Sequence, residues 1–282
     1  MQVVFNKKEL NASLASHERE NKRLGLVPTM GALHPGHLSL VKKAIETNDL
    51  VVVSIFVNPT QFNNQEDLKK YPKTLEADLH LLRGIKHNLI VFVPSVSDMY
   101  HTKVSSREYS FSGLDKVMEG EYREGHFNGV ATIVEELFTL IKPDSAYFGE
   151  KDYQQLLIVR KMVKQRLLPV EVIGCPIIRE ANGLAMSSRN ELLSPSLKKQ
   201  AAKIYQTLQT AKRMFGTKSA TKVTKMVEQA FKEHPDLQLE YFQIADADTL
   251  RPVRRKRENG KYRAFIAVYA DRVRIIDNIA LN

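Results

Sequence analysis

The segment Asp49–Asn58, DLVVVSIFVN, constrains this chain more than any other, because it is apolar at consecutive positions and so on both faces of an extended strand. A strand with one wet face alternates apolar and polar residues; one with two dry faces belongs inside a parallel sheet covered on both sides. The flanking sequence supplies the cover. Leu24–Thr29, Leu89–Val93, Ser145–Phe148 and Val170–Cys175 read as further strands. His37–Thr47, Thr74–Arg83 (stopped by Gly84), Gly129–Ile141 and Asp152–Leu167 read as helices between them. Strands alternating with helices give βαβ units, so the predicted class is α/β, a Rossmann-like parallel sheet with helices on both faces.

The pattern changes after Cys175-Pro176. Ser196–Phe215 and Thr221–His234 read as helices, and Leu237–Ala245 and Arg263–Ile276 as strands joined through the charged segment Arg251–Lys261. Residues 1–175 are therefore expected to form a Rossmann-like domain, and residues 176–282 a smaller α+β domain.

Composition narrows the class of function. The net charge of +10, from 42 basic and 32 acidic side chains, favours anionic partners without choosing among nucleic acid, phosphates and carboxylates. The basic run Arg251–Arg257 reads as a solvated face, no aromatic-basic RNA motif accompanies it, and tryptophan is absent; nucleic-acid binding is not expected. Cys175 is the only cysteine, in the apolar run PVEVIGCPII, which makes it a small core residue and excludes an intramolecular disulfide or a multi-cysteine zinc site. No stretch approaches the roughly 18 apolar residues of a membrane span. The N-terminus turns polar at Asn6 without a signal-peptide core, so a cytoplasmic protein is expected.

The chemistry is concentrated in Val27–Leu40, VPTMGALHPGHLSL. A strand ends at Thr29, a glycine loop follows, and a helix opens at Pro35-Gly36. Unpaired N–H groups at a helix start suit phosphate, and Gly31 and Gly36 let backbone approach a ligand closely. His34 and His37, three apart, share the first turn, where imidazoles can donate to phosphoryl oxygens as charge builds. A metal pair is the weaker reading, since no third ligand stands nearby. This HxGH arrangement resembles the nucleotidyltransferase superfamily and points to attack at the α-phosphate of a nucleoside triphosphate.

Four further segments identify the acceptor: SIFVNPTQF (Ser54–Phe62), EGEYREGHFNG (Glu119–Gly129), FGEKDYQQL (Phe148–Leu156) and GLAMSSRN (Gly183–Asn190). Taken with PTMGALHPGH, in this order and spacing, they resemble the pantoate–β-alanine ligases, along the whole chain and most densely through residue 190. The residues also suit that chemistry. Gln61 offers a donor and an acceptor to a hydroxy acid. Lys151 can neutralise phosphate and Asp152 can accept from ribose hydroxyls. Gln155 lies one helical turn beyond Lys151, and Ser187, Ser188 and Arg189 form a polyphosphate cradle. Alone, each has a bland alternative: a surface amide, a charge pair at a helix start, a turn.

The resemblance implies ATP contacts from Met30, Gly31, Ala32, Leu33, His34, Pro35, Gly36, His37, Gly149, Glu150, Lys151, Asp152, Ile178 (through its backbone), Met186, Ser187, Ser188 and Arg189. It implies pantoate on Gln61 and Gln155, with β-alanine also near Gln61, and His37 as proton donor. Local departures from the family pattern are Glu124 where proline is common, Asn128 where arginine is common, and Asn182 where aspartate is common. They affect the loop around Arg123 and His126, whose role the sequence leaves open between closing the site and joining a subunit contact.

The implied reaction is an AMP-forming condensation through a pantoyl-adenylate. His34, His37, Lys151, Ser188 and Arg189 would stabilise the developing phosphate charge. Mg2+ is expected mainly on the ATP phosphates, with no protein metal site, and a homodimer is expected from the family. The rival reading is an adenylyltransferase acting on another small acceptor, which would share HxGH and release pyrophosphate but never AMP.

Overall fold

A computed structural model describes residues 1–17, 22–100 and 103–282. The chain divides into two compact units. The first is Met1–Glu150 with Gln154–Pro176; the second is Lys151–Tyr153 with Ile177–Asn282.

The first unit is built on six strands: β1 (Gln2–Val4), β2 (Leu24–Thr29), β3 (Leu50–Ile55), β4 (Leu89–Phe92), β5 (Ser145–Gly149) and β6 (Glu171–Cys175). They form one sheet in the order β1-β4-β3-β2-β5-β6, with every pairing parallel. Its helices are α1 (Lys7–Ser16), α2 (Pro35–Ile45), α3 (Gln65–Lys70), α4 (Leu75–Arg83), α5 (Val96–Met99), α6 (Glu119–Tyr122), α7 (His126–Ile141) and α8 (Tyr153–Arg166), whose first residue groups with the second unit.

The dry faces of β3 are real. Val51 and Val53 pack with Leu40, Val41 and Ala44 of α2 and Leu79 and Leu82 of α4. Val52 points the opposite way and is equally buried, as are Leu26 and Ile90. Each such side chain contributes about 1.5–3 kcal/mol by leaving water. Cys175 sits in the α2–α4 cluster as a core residue, as its sequence context predicts.

The second unit holds α9 (Pro195–Gln200), α10 (Ala202–Met214), α11 (Ala220–Lys232) and the antiparallel sheet of β7 (Leu237–Asp246), β8 (Tyr262–Ala270) and β9 (Val273–Ala280). Helix α11 buries Ala220, Val223, Val227 and Phe231, a helical spacing, against β7 and β8 residues such as Phe242, Ile244 and Ile266.

Several expectations are corrected. The predicted strand Arg263–Ile276 is two strands, because the chain reverses at Asp271-Arg272, with Ala270 paired to Val273 and Asp271 at φ 52°. Aspartate tolerates that left-handed geometry better than most residues. The predicted helix Ser196–Phe215 is interrupted at Ala201, where Ile204 donates to Ala201 three residues back and the turn tightens. Strand β3 stops at Ile55 rather than Asn58, where its neighbour β2 also ends at Thr29 and the chain turns toward Pro59–Gln61. Gly84 does end α4 but with φ −69°, a right-handed value that needs no glycine. Helix α7 starts at His126, a turn ahead of the predicted Gly129. Strand β1 and helices α1, α3, α5 and α6 are additions.

Burial pushes the Cys175 thiol up to about 11, with Lys43 pulling weakly the other way. The thiolate is then scarce at ordinary pH, and the sulfur is shielded. In the native protein at pH 8, Cys175 should fail to react with a thiol reagent such as dithionitrobenzoate over an hour and react stoichiometrically in urea; rapid native reaction would contradict the core assignment.

Candidate active site

In a parallel sheet every strand ends on the same edge, and ligands sit where the connections leave in opposite directions. That place is β2: its neighbours are β3 on one side, leading on to β4 and β1, and β5 on the other, leading on to β6. The segments leaving β2, β3 and β5 carry three of the motifs picked out in the sequence.

After β2, Gly31 takes φ 80° and Ala32 φ 49°, so the loop turns through the left-handed region before α2 opens. Asp78 of α4 holds it there. This carboxylate, 1% exposed, accepts from the Ala32 N–H at 2.9 Å and the Leu33 N–H at 2.8 Å, and from the Thr74 hydroxyl at 3.1 Å. A Cβ added at Gly31 would meet Asp78 Oδ2 and Ile55 Cγ2, both at 3.1 Å. Sequence reasoning missed Asp78, because an acid within TLEADL reads as a solvated helix residue.

The two histidines cap the helix reciprocally. His34 Nδ1 accepts from the Gly36 N–H at 3.1 Å, and His37 Nδ1 accepts from the His34 N–H at 3.4 Å. The rings lie 4.0 Å apart, tilted by 38°. A neutral imidazole that accepts at Nδ1 must carry its proton on Nε2. Both rings therefore present Nε2–H donors, the form a phosphoryl oxygen requires.

After β3, Asn58, Thr60 and Gln61 form a 3₁₀ turn at Pro59–Gln61. Gln61 is buried. Its Oε1 accepts from Asn58 Nδ2 at 3.1 Å, and its Nε2 lies 2.8 Å from Met30 Sδ, which joins the β2 and β3 loops. Asn58, 1% exposed, also donates to the Gly129 carbonyl and accepts from Tyr100 (2.6 Å) and Thr60 (3.1 Å). From the far side His126 Nδ1 donates to the Gln61 carbonyl at 2.8 Å, and Arg123 reaches the other His126 nitrogen at 3.1 Å. The Arg123–His126 loop thus braces Gln61. Asn58, Tyr100, Arg123 and His126 were not assigned from sequence; Asn58, Arg123 and His126 had only their place inside the resemblance motifs as a signal, and Tyr100 lies outside those motifs.

After β5, Gly149 leads into a 3₁₀ turn, Glu150–Asp152, and then α8. Of the two glutamines opening α8, Gln154 faces inward and bonds Leu114, Val117 and Glu119 backbone. Gln155, the predicted acid ligand, is the half-buried next residue, rotated about 100° around the helix.

In the second unit, Lys151 pairs with Asp152 at 3.5 Å and its carbonyl accepts from Asn278 Nδ2 at 2.8 Å. Met186–Arg189 follows a short hairpin in which Met186 N–H donates to the Ile178 carbonyl at 2.9 Å and Arg179 bridges Ala185. The Ile178 carbonyl is thereby engaged within the hairpin. Ser187 Oγ accepts from the Arg189 N–H, and Ser188 is buried. Asn190 bonds Glu180 and Ala185, tying the turn to the hairpin.

A family model described as pantoate–β-alanine ligase matches residues 2–280. This chain belongs to the pantoate–β-alanine ligase family. It is 54% identical over 282 residues to the pantothenate synthetase of Christiangramia forsetii, covering 100% of both chains. The pantothenate synthetase of Bacteroides thetaiotaomicron is 48% identical, over 99% of this chain and 98% of that one. Among solved structures, the pantothenate synthetase of Thermus thermophilus superposes with a TM-score of 0.91 at 41% identity, over 100% of this chain and 99% of that one. The pantoate–β-alanine ligase of Francisella tularensis, described as complexed with β-γ ATP and β-alanine, gives 0.82 at 35% identity over 100% and 98%. Membership of the ligase family agrees with the α/β class expected from the sequence. Among the described residues no helix is long and apolar enough to cross a membrane.

Two substitutions test the bracing. A Cβ at Gly129 would stand 2.3 Å from the Thr60 carbonyl oxygen and 2.7 Å from the Gln61 nitrogen, both backbone. Gly129→Ala should therefore cost about 3 kcal/mol in chemical denaturation, as overpacking against backbone does, and raise the KM for pantoate. Asp78→Ala leaves the two loop N–H groups without their acceptor and should cost about 3 kcal/mol, with weaker ATP binding by calorimetry. Wild-type ATP affinity in Asp78→Ala would show that the loop keeps its shape unaided.

Proposed function

We infer that this protein condenses pantoate with β-alanine at the expense of ATP, releasing AMP and pyrophosphate through a pantoyl-adenylate. The observation that carries the reading is the helix start after β2, where two imidazoles fixed as Nε2–H donors stand on a loop joined through Met30 to the buried Gln61. The substrate is ATP with Mg2+ on its phosphates. The donor set suits that division: imidazole, lysine and arginine address anionic oxygens, while the acid nearest the loop, Asp78, already accepts two backbone N–H groups.

In the first half-reaction a pantoate carboxylate oxygen bonds to the α-phosphorus as the bond to the β-phosphate oxygen breaks and pyrophosphate leaves. His34, His37, Lys151, Ser188 and Arg189 stabilise the charge that develops, His37 as proton donor, and no protein nucleophile is needed. In the second, the neutral β-alanine amine attacks the acyl carbon, the acyl–oxygen bond breaks, AMP leaves and the amine loses a proton. Met30–His37, Gly149–Asp152, Ile178 and Met186–Arg189 are assigned to ATP, and Gln61 and Gln155 to pantoate, with β-alanine beside Gln61. Gln61 suits an acid with a hydroxyl, since its carboxamide is held at Oε1 by Asn58. The same reading, on the strength of the family resemblance, includes a homodimer in the cytoplasm.

Labelled pyrophosphate should exchange into ATP when pantoate is present and β-alanine is absent, and AMP should accumulate once β-alanine is added. His37→Ala or Lys151→Ala should slow the exchange on the order of 100- to 1000-fold, the range for losing one preorganised donor. Absence of exchange at saturating pantoate would remove the adenylate; pyrophosphate release without AMP would favour an adenylyltransferase.

A further inference from the structure

Lys151 reaches its place by an unusual route. Residues Lys151–Tyr153 follow β5 and run into the first residue of α8 yet group with the second unit. Three contacts hold them there. Asn278 of β9 donates its Nδ2 to the Lys151 carbonyl at 2.8 Å; Arg263 of β8 lies over the Tyr153 ring at 3.9 Å; and Tyr153 packs near Phe265, centroids 6.0 Å apart.

The orientation of Asn278 is forced. Arg263 Nη1 bonds the other end of its carboxamide, and a guanidinium is only ever a donor. The oxygen must therefore face Arg263, which leaves the NH2 group toward Lys151. Asn278 is 1% exposed, so neither bond has water to replace it.

The residue before it secures the other phosphate-side element. Asp277, 3% exposed, accepts from Arg179 twice, at 2.6 and 3.0 Å, and from the Asn278 N–H at 2.7 Å. Arg179 also donates to the Gly183 carbonyl at 3.1 Å and stacks 3.6 Å over Tyr205. It thereby fixes the hairpin that ends in Met186–Arg189. Two adjacent residues of one strand hold both the lysine and the Ser-Ser-Arg turn.

We propose that Asn278 is a positioning residue for the adenylation half-reaction: its carboxamide, oriented by Arg263, fixes the Lys151 backbone relative to the Met186–Arg189 turn that Asp277 anchors through Arg179. Asn278 touches no substrate; it acts through Lys151. The proposal rests on the assignment of Lys151 to the ATP phosphates.

The test is a double-mutant cycle read by pantoate-dependent pyrophosphate exchange in the full chain. Asn278→Asp is nearly isosteric, keeps an acceptor for Arg263 and loses the donor to Lys151; Asn278→Ser removes the donor's reach without adding charge. Each should slow exchange on the order of 10- to 100-fold, the cost of a small misplacement, in kcat more than in the KM for pantoate. In a Lys151→Ala background both changes should have no further effect on exchange, because the group they position is gone. A purely structural role, or a charge acting directly on ATP, would instead give the same fold-loss in both backgrounds, and that result overturns the proposal. So does wild-type exchange in Asn278→Asp or Asn278→Ser. Loss of the underlying reading is distinct: wild-type protein would show no exchange, or Lys151→Ala would exchange normally.

Discussion

A sheet whose strands all run one way must be covered on both faces, and it must also deliver every strand's C-terminal end to one edge. Much of this molecule's first unit follows from that pair of requirements. The valines of β3 meet the first by being buried whichever way they point. The second places the connections after β2, β3 and β5 beside one another, because β2 is hydrogen-bonded to both of the others. A histidine-bearing helix start, an amide-bearing turn and a glycine exit become neighbours through topology, although more than a hundred residues separate the first from the last.

Around these groups lies a layer of buried polar side chains hydrogen-bonded to other parts of the protein. Asp78 supports the glycine loop, Asn58 and His126 support Gln61 from two sides, and Gln154 fastens the segment before α6. A buried polar group without a partner is destabilising, so each of these must find several, and finding them fixes its geometry. Among the described residues only Ser54 Oγ and Asn190 Oδ1 are buried side-chain atoms without a hydrogen-bond partner. The second unit applies the same device through Arg179, Asp277 and Asn278.

What could be read from the sequence follows from how local each signal is. Continuous apolar runs revealed β2 through β5 because two-sided burial leaves a mark on nearly every residue, and the edge strand β6, half-buried for most of its length, showed as a shorter run. The HxGH helix start was legible because its glycines, proline and histidines lie within one turn. The β8–β9 reversal was not: it rests on Asp271-Arg272, a pair without glycine or asparagine, and the flanking apolar alternation runs on across it. The supporting residues were illegible for a different reason. Asp78 stands far along the chain from the loop it holds, and an acid on a helix looks like any solvated acid until its partners are known. Gln154 and Gln155 are identical letters side by side, and only packing separates the brace from the candidate ligand.

The loop between β2 and α2 has one more consequence. Its backbone dihedrals are already set by the carboxylate beneath it, so a ligand arriving there need not freeze a mobile segment before contact. Ordering entropy that a floppy glycine loop would forfeit at each encounter is lost once, when the chain folds. Binding energy gained at such a preformed loop need not be diverted to shaping the protein, and more of it remains available for distinguishing the transition state from bound substrate.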